Sequence, residues 1–434
     1  MNSGEQPLMS VSEAQKRLLS FFSPLNVEMV PLDHSAGRTL AEDVHSTMDL
    51  PPFSNSGMDG FAVRSADVAG ADEAHPVTLP VSADIPAGTI SLKPLLTGTA
   101  ARIMTGAPVP DGADAVVPVE NTDFNYREPG QEAPKTIQIF RAARPNEFLR
   151  PKGQDVQQGE LVMEKDSSLR PQDLGFLGML GVAKLPVYRQ PRVAIFSTGD
   201  ELIPVDKPLV PGKIHDANTY ILVAAIHEAG AVPIRLGIVP DRAVDVEKSL
   251  EHAATQGVDL ILSSAGVSVG AFDFVRSVVE ARGKLDFWRV NMRPGKPLAF
   301  GHYRDIPFVG LPGNPVSSFV GFEVFVRPAI MKMNGQKAFA RETARVRLLE
   351  AIESDGRESY LRAVIARREG SLLARLTGHQ GSGNLRSLVQ ANALLVIPSG
   401  VKSLPTDAEV DAWLMGDIHE DMDTMVRQSN SGGG

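Results

Sequence analysis

The 434-residue sequence contains no cysteine. That removes disulfides, thiolate nucleophiles and cysteine-based zinc centres at once, and it suits a reducing compartment. The nine histidines show neither HxH nor HExxH spacing, so a histidine-based metal site is not expected. No apolar run is long enough to span a bilayer. The first residues lack the basic region and apolar core of a signal peptide. A cytoplasmic protein without a membrane partner is therefore expected. Positive charge is also in short supply: 43 Lys and Arg stand against 52 Asp and Glu, a net charge of −9. Such a balance argues against non-specific nucleic-acid binding. It leaves room for a local pocket of Arg and Lys that takes an anionic small molecule.

A chain of this length exceeds one hydrophobic core and predicts roughly two to four domains. Ser10-Val-Ser-Glu13 is a capping-box pattern, and Ala14, Leu18, Leu19 and Phe22 follow at helical spacing, predicting a short helix that ends near Phe22. From Val27 to about Tyr188 the chain is rich in Pro and Gly with brief apolar pieces, which predicts short β-strands. Pro171 then opens a small apolar helix. From Pro191 the pattern changes to alternating strands and helices, with strands at 193–196, 234–239, 258–262, 285–290 and 306–311. Asp216 and Asn218 are placed to cap the first of these helices, and Asn314 to cap the last, ahead of Pro315. This alternation predicts a mostly parallel, three-layer α/β domain whose ligands sit off the carboxyl ends of the strands. Beyond Gly335, alternating apolar and polar stretches and the hairpin turn Arg368-Glu-Gly370 predict a small β-barrel.

Three loops fall at the carboxyl edge of that sheet. Ser263-Ser-Ala-Gly-Val-Ser-Val-Gly270 is a run of small residues that lets backbone N–H groups approach an anion ahead of a helix. The carboxylate of Asp273 just beyond it would repel an anion unless it held a metal or moved a proton. Ser197-Thr-Gly-Asp-Glu201 carries a second carboxylate beside a small-residue turn. By itself it reads as solvated; at the same edge, Glu201 and Asp273 suit phosphate together with Mg²⁺. The third, Leu311-Pro-Gly-Asn-Pro-Val-Ser317, points a helix start and a hydroxyl at the same place. Arg289, Arg293 and Lys296 surround a Pro-Gly turn and read either as a solvated rim or as oxoanion ligands. The loop ending Met58-Asp59-Gly60, the segment 102–108 and the segment 150–155 are not specific on residue type alone.

Taken together, Pro-Pro-Phe-Ser-Asn-Ser-Gly-Met-Asp-Gly at 51–60, Arg-Ile-Met-Thr-Gly-Ala-Pro at 102–108, Ser-Thr-Gly-Asp-Glu-Leu at 197–202, the loop 263–270, Pro-Gly-Lys-Pro at 294–297 and Leu-Pro-Gly-Asn-Pro-Val-Ser at 311–317 closely resemble the molybdopterin molybdenumtransferase family, which includes the E domain of gephyrin. The motifs stand in family order, and the likeness runs from about Met9 to Leu414.

The resemblance implies a multidomain α/β plus β fold in four parts: an elongated linker domain (1–57 and 156–190), an inserted β-rich domain (58–155), the α/β molybdopterin-binding domain (191–333) and a C-terminal β-barrel (334–420), with a flexible tail at 421–434. It implies a homodimer whose cleft is shared between subunits, supplied by the adenylyltransferase that makes its substrate. The implied reaction takes adenylylated molybdopterin and molybdate, cleaves the pyrophosphate link with Mg²⁺, releases AMP and leaves molybdenum on the dithiolene. Matching positions imply catalytic roles for Asp59, Asp155, Glu201 and Asp273, with Glu201 and Asp273 on the cation. They imply pterin-nucleotide contacts for Thr105, Thr198, Gly199, Asp241, Ser264, Gly266, Ser268, Gly270, Arg289, Arg293, Pro312 and Asn314, and a molybdate pocket of Lys296, Pro297, Ser317, Arg362 and Ser382.

The chain departs from the family at Ala265, where Gly is usual, at Arg289 and Arg293, which are often Lys, and at Ser54, often Asp. An adenylyltransferase shares the α/β fold, but its loop usually reads Gly-Gly-Thr-Gly and it lacks the flanking domains. A scaffold would carry an extra domain or long linker.

Overall fold

The computed structural model describes residues 8–125, 130–265 and 271–420, with the backbone alone at 271–273 and 287–288. The chain forms two compact units, one of residues 1–41, 166–170 and 184–434, the other of residues 42–165 and 171–183.

The first unit is built on a six-stranded sheet of β1 (Arg192–Thr198), β2 (Val232–Val239), β3 (Leu260–Ser264), β4 (Gly283–Arg289), β5 (Pro297–Tyr303) and β6 (Ile306–Leu311), in the order β2-β1-β3-β6-β5-β4. The first four in that order run parallel, while β5 is antiparallel to both neighbours. Strand β5 was not expected. Its Pro297 start and internal Gly301 weaken the strand pattern, yet it forms a hairpin with β6 across Arg304 and Asp305. Helices α1 (Asn218–Glu228), α2 (Ala243–Thr255) and α3 (Ala271–Arg282) are the crossovers, and α4 (Pro315–Gly321) leads through a π turn into α5 (Arg327–Met333).

Alternate residues of each strand feed opposite cores, as the two-residue strand period requires. Val193, Ile195, Leu260 and Leu262 pack with Leu222 and Ile226 of α1. Ala194, Phe196 and Ile261 pack with Val246, Leu250, Val275 and Val279 of α2 and α3.

Five strands close the barrel: β7 (Thr343–Leu348), β8 (Glu358–Arg368), β9 (Ser371–Leu376), β10 (Ala393–Ile397) and β11 (Glu409–Leu414), in the order β8-β9-β7-β11-β10 with β10 returning to β8. Glu369 and Gly370 take φ of 50° and 78°, the left-handed pair a two-residue hairpin needs. Met292–Arg293 pairs with Glu358–Ser359 at the start of β8, so the chain after β4 is annexed to the barrel. Buried Glu323 of the π turn accepts two bonds from Arg341 at 2.8 and 2.9 Å, fixing the strand that enters the barrel to the α/β layer.

At the amino end, Ser10 Oγ accepts the Glu13 N–H at 3.2 Å, and the helix runs Val11–Leu19, stopping short of Phe22. Val27–Pro31 pairs antiparallel with Lys184–Tyr188.

The second unit holds a five-stranded sheet in the order Ala115–Pro118, Gly60–Val63, Ala100–Ile103, Val77–Ile85, Thr136–Ile139. Both faces are covered by apolar clusters, around Phe61 and Val117 on one and Ile103 and Val116 on the other. Gly60 is required here, since a Cβ would fall 2.1 Å from the Val117 carbonyl oxygen. Pro171–Met179 is helical, beside a small cluster of Leu50, Val156 and Leu180. No helix among the described residues is long and apolar enough to cross a membrane.

Candidate active site

A cavity of about 440 Å³ opens at the carboxyl ends of β1, β3 and β6. Thr198, Gly199 and Glu201 line it from the first loop, Asp241 from the second, Ser264 and Ala265 from the third, and Pro312 and Asn314 from the fourth. Gly199 sits at φ 149°, and a Cβ there would lie 2.6 Å from the Glu201 carboxylate, so glycine lets that carboxylate fold back over the loop. Burial raises the Asp241 carboxyl above the ordinary range; the Asp200 and Glu201 carboxylates push the same way, against a backbone hydrogen bond at Asp200.

Two residues read from sequence only as helix caps organise this cavity. Asp216 accepts the Thr219 N–H at 3.1 Å and the Thr219 hydroxyl at 2.5 Å, and takes the Ser197 hydroxyl at 3.2 Å. Asn218 donates from one amide nitrogen to Ser264 Oγ and to the Gly313 carbonyl, both at 2.7 Å. It thereby ties α1 to the ends of β3 and β6. Its Oδ1, with Thr198 Oγ1 and one Asp241 oxygen, is buried without a hydrogen-bond partner among the described residues. Buried polar atoms left in this state are costly, and all three belong to residues that line the cavity. Ala265 adopts φ 71°, a left-handed conformation that favours glycine.

A second cavity of about 280 Å³ lies between the 293–296 loop and the barrel. Arg293, Lys296, Ser317 and Ser382 line it, together with Arg357 and Gln380. Ser317 lines both cavities. Arg362 of β8 is 1% exposed behind the second one. Its Nε donates to Ser387 Oγ and its Nη2 to the Gly381 carbonyl, each at 3.1 Å. Burial pulls the guanidinium down to about 10, and the charge of Arg293 adds to this. Arg362 has no carboxylate partner among the described residues, and a buried cation of this kind suits an anionic ligand.

The expected capping role of Asn314 is corrected: it occupies the N-cap position of α4 without a side-chain cap bond. Its amide donates instead to Ser382 Oγ at 3.0 Å, 68 residues further on. Pro297 lines the larger cavity, not the smaller one with Lys296. Arg289 closes β4, where its carbonyl accepts the Met9 N–H at 2.9 Å, and it lines neither cavity. Gly266, Ser268 and Gly270 lie outside the described residues, as does the side chain of Asp273, whose backbone falls in the first turn of α3.

In the second unit, Asp59 Oδ1 accepts the Thr105 N–H at 2.8 Å and the Thr105 hydroxyl at 2.6 Å, which joins two of the recognised motifs. Asp155 pairs with Arg150 at 2.6 Å. Arg102 is 8% exposed, donates to the Gln131 carbonyl at 2.6 Å and covers the Phe124 ring. It is a support beneath the 102–108 motif.

Strand-end loops around a polar cavity, sharing a wall with a cation-and-hydroxyl cavity, define a multidomain α/β protein with two adjoining polar compartments. Residues 9–181 match the MoeA N-terminal region (domain I and II), 194–332 a probable molybdopterin binding domain, and 345–415 the MoeA C-terminal region (domain IV). The chain is 37% identical over 413 residues to molybdopterin molybdenumtransferase 2 of Mycobacterium tuberculosis, covering 94% of this chain and 99% of that one. It is 35% identical over 394 residues to the molybdopterin molybdenumtransferase of Haemophilus influenzae, covering 90% and 94%. The crystal structure of the molybdopterin biosynthesis moea protein from Pyrococcus horikosii superposes with a TM-score of 0.78 at 31% identity, covering 95% of this chain and all of the other. The chain belongs to the molybdopterin molybdenumtransferase family.

Proposed function

We propose that this protein is an enzyme of molybdenum cofactor biosynthesis that transfers molybdenum from molybdate to adenylylated molybdopterin with release of AMP. The observation that carries the reading is the shared wall at Ser317 between the larger cavity and the cationic one. The strand-end cavity suits the pterin phosphate, with Asn218, Ser264 and Thr198 as polar contacts. Lys296, Arg293 and buried Arg362, with the hydroxyls of Ser317 and Ser382, suit a tetrahedral dianion. Bound there, molybdate stands next to the compartment that would hold the dithiolene.

A Mg²⁺ ion fits the donor set of the larger cavity, where burial pushes Asp241 upward and the neighbouring Asp200 and Glu201 carboxylates add to this. Mg²⁺ typically takes one or two carboxylates and fills its shell with phosphate and water. Glu201 and Asp241 would hold it, with Asp273 the expected further ligand. When bound, the cation supplies charge against the pyrophosphate oxygens. Glu201 and Asp241 themselves orient the water that attacks the phosphorus, and AMP departs as the anhydride bond breaks.

We read Asp59, held by Thr105, and Asp155 as contributions of a second subunit to a cleft in a cytoplasmic homodimer. The four-domain division at 57/58, 155/156, 190/191 and 333/334 belongs to the same reading. The test is an AMP-release assay with purified protein, adenylylated molybdopterin, Mg²⁺ and molybdate or tungstate. Oxoanion-dependent AMP release is expected. Formation of the adenylate from ATP and molybdopterin would overturn the assignment in favour of an adenylyltransferase.

A further inference from the structure

The smaller cavity contains a residue pair that no motif covers. Arg357 lines it, and Asp355 stands behind Arg357. Arg357 Nε donates to Asp355 Oδ2 at 3.0 Å, its Nη2 donates to the same oxygen, and its backbone N–H donates to Oδ1 at 3.1 Å. Its Nη1 reaches the Met292 carbonyl at 3.3 Å. The guanidinium is thus held from two sides, by the barrel turn and by the segment annexed from the α/β layer. Asp355 Oδ2 also lies 3.9 Å from Arg293 Nη1. Among the described residues this is the carboxylate that pairs with cations lining the cavity, whereas Lys296 and buried Arg362 have no such partner.

We propose that Asp355 is a positioning residue that sets the oxoanion affinity of this cavity, acting as an internal counter-anion on Arg293 and Arg357. The inference rests on the cavity being the oxoanion site. Arg293, Lys296 and Arg357 line the cavity, so even before buried Arg362 is counted a dianion leaves excess positive charge. Without a counter-anion the pocket would retain its ligand tightly, whereas a transferase must let the oxoanion go. An incoming oxoanion competes with Asp355 for the two guanidinium groups. Asp355 therefore weakens binding while keeping the Arg357 fork aimed at the cavity. Its side chain is 37% exposed, so its substitution does not disturb a core.

The experiment is calorimetric titration of molybdate into the full-length protein and its variants, each checked by thermal melting. Asp355→Asn keeps an oxygen for the Arg357 backbone N–H and removes the charge, together with the acceptor of the Arg357 Nε and Nη2 bonds. It is expected to bind molybdate roughly fivefold more tightly, the size of one partly exposed ion pair. Asp355→Glu restores the charge and is expected to return the affinity to the wild-type value. Unchanged or weaker binding by Asp355→Asn, or tighter binding by Asp355→Glu as well, would overturn the proposal. The underlying assignment fails separately, if the wild type does not bind molybdate or if Lys296→Ala binds it unchanged.

Discussion

The strand-end cavity and the cavity beside the barrel share Ser317 and differ in almost everything else. The larger one is walled by backbone turns, amides and carboxylates, with Asp241 pushed up by burial and by the neighbouring negative charges. The smaller one is walled by cations, with Arg362 pulled down by burial and by Arg293. One compartment is short of positive charge and the other short of negative charge. By charge alone, a cation with a phosphate suits the first and a bare oxoanion the second. On the proposed reading, two compartments of opposite character separated by one side chain would keep two substrates distinct before they react.

The strongest way to break this comparison is to remove the buried cation. Arg362→Ala is expected to lower molybdate affinity by about a hundredfold, because the remaining groups lose their deepest charged partner, while binding of the adenylylated pterin stays unchanged. Titration calorimetry with each ligand separates the two, and an equal loss for both would contradict the division of labour. Glu201→Gln addresses the other compartment. AMP release is expected to fall by at least about tenfold with molybdate affinity unaltered, read from initial rates and from titration.

A third measurement uses the direction of the Asp241 shift. An acid whose carboxyl is raised in the folded protein favours folding below its ordinary titration range and loses that contribution as pH rises through the folded value. At neutral pH in metal-free buffer, Asp241→Asn is therefore expected to raise the melting temperature by roughly 2 °C, and the gain should vanish near pH 3. A gain that persisted at low pH would show that charge is not its cause. The smallest effect concerns Ala265. Replacing it by Gly relieves the left-handed backbone at a cost in unfolded-chain entropy, for a net stabilisation of roughly 0.5 kcal/mol in urea unfolding.

The parallel strands were legible because each is a short apolar run bounded by turn residues, and the hairpin Arg368-Glu-Gly370 because its turn chemistry is local. Lys296, Ser317 and Ser382 were brought to one cavity by motif likeness, and residue spacing alone would not have joined them. Strand β5 escaped because a leading Pro and an interior Gly look like a loop until β6 pairs with it. Asn314 was misread because Asn before Pro satisfies every local rule for a cap, while its actual partner Ser382 comes from the barrel. Arg357 was passed over because Asp355-Gly-Arg-Glu358 looks like a solvated charged turn. Its meaning depends on the Met292 carbonyl that a distant segment brings to it.

That distant segment is the two-residue strand Met292–Arg293, stitched to Glu358–Ser359 at the start of β8. The pocket with Lys296 and Ser317 on one side and Arg357 and Ser382 on the other is a seam between the α/β layer and the barrel, within one compact unit. Neither side alone carries the full set of lining side chains. A ligand held in this pocket would therefore grip both sides of the seam at once, and an oxoanion bound there, as proposed, would stabilise the folded chain through that junction.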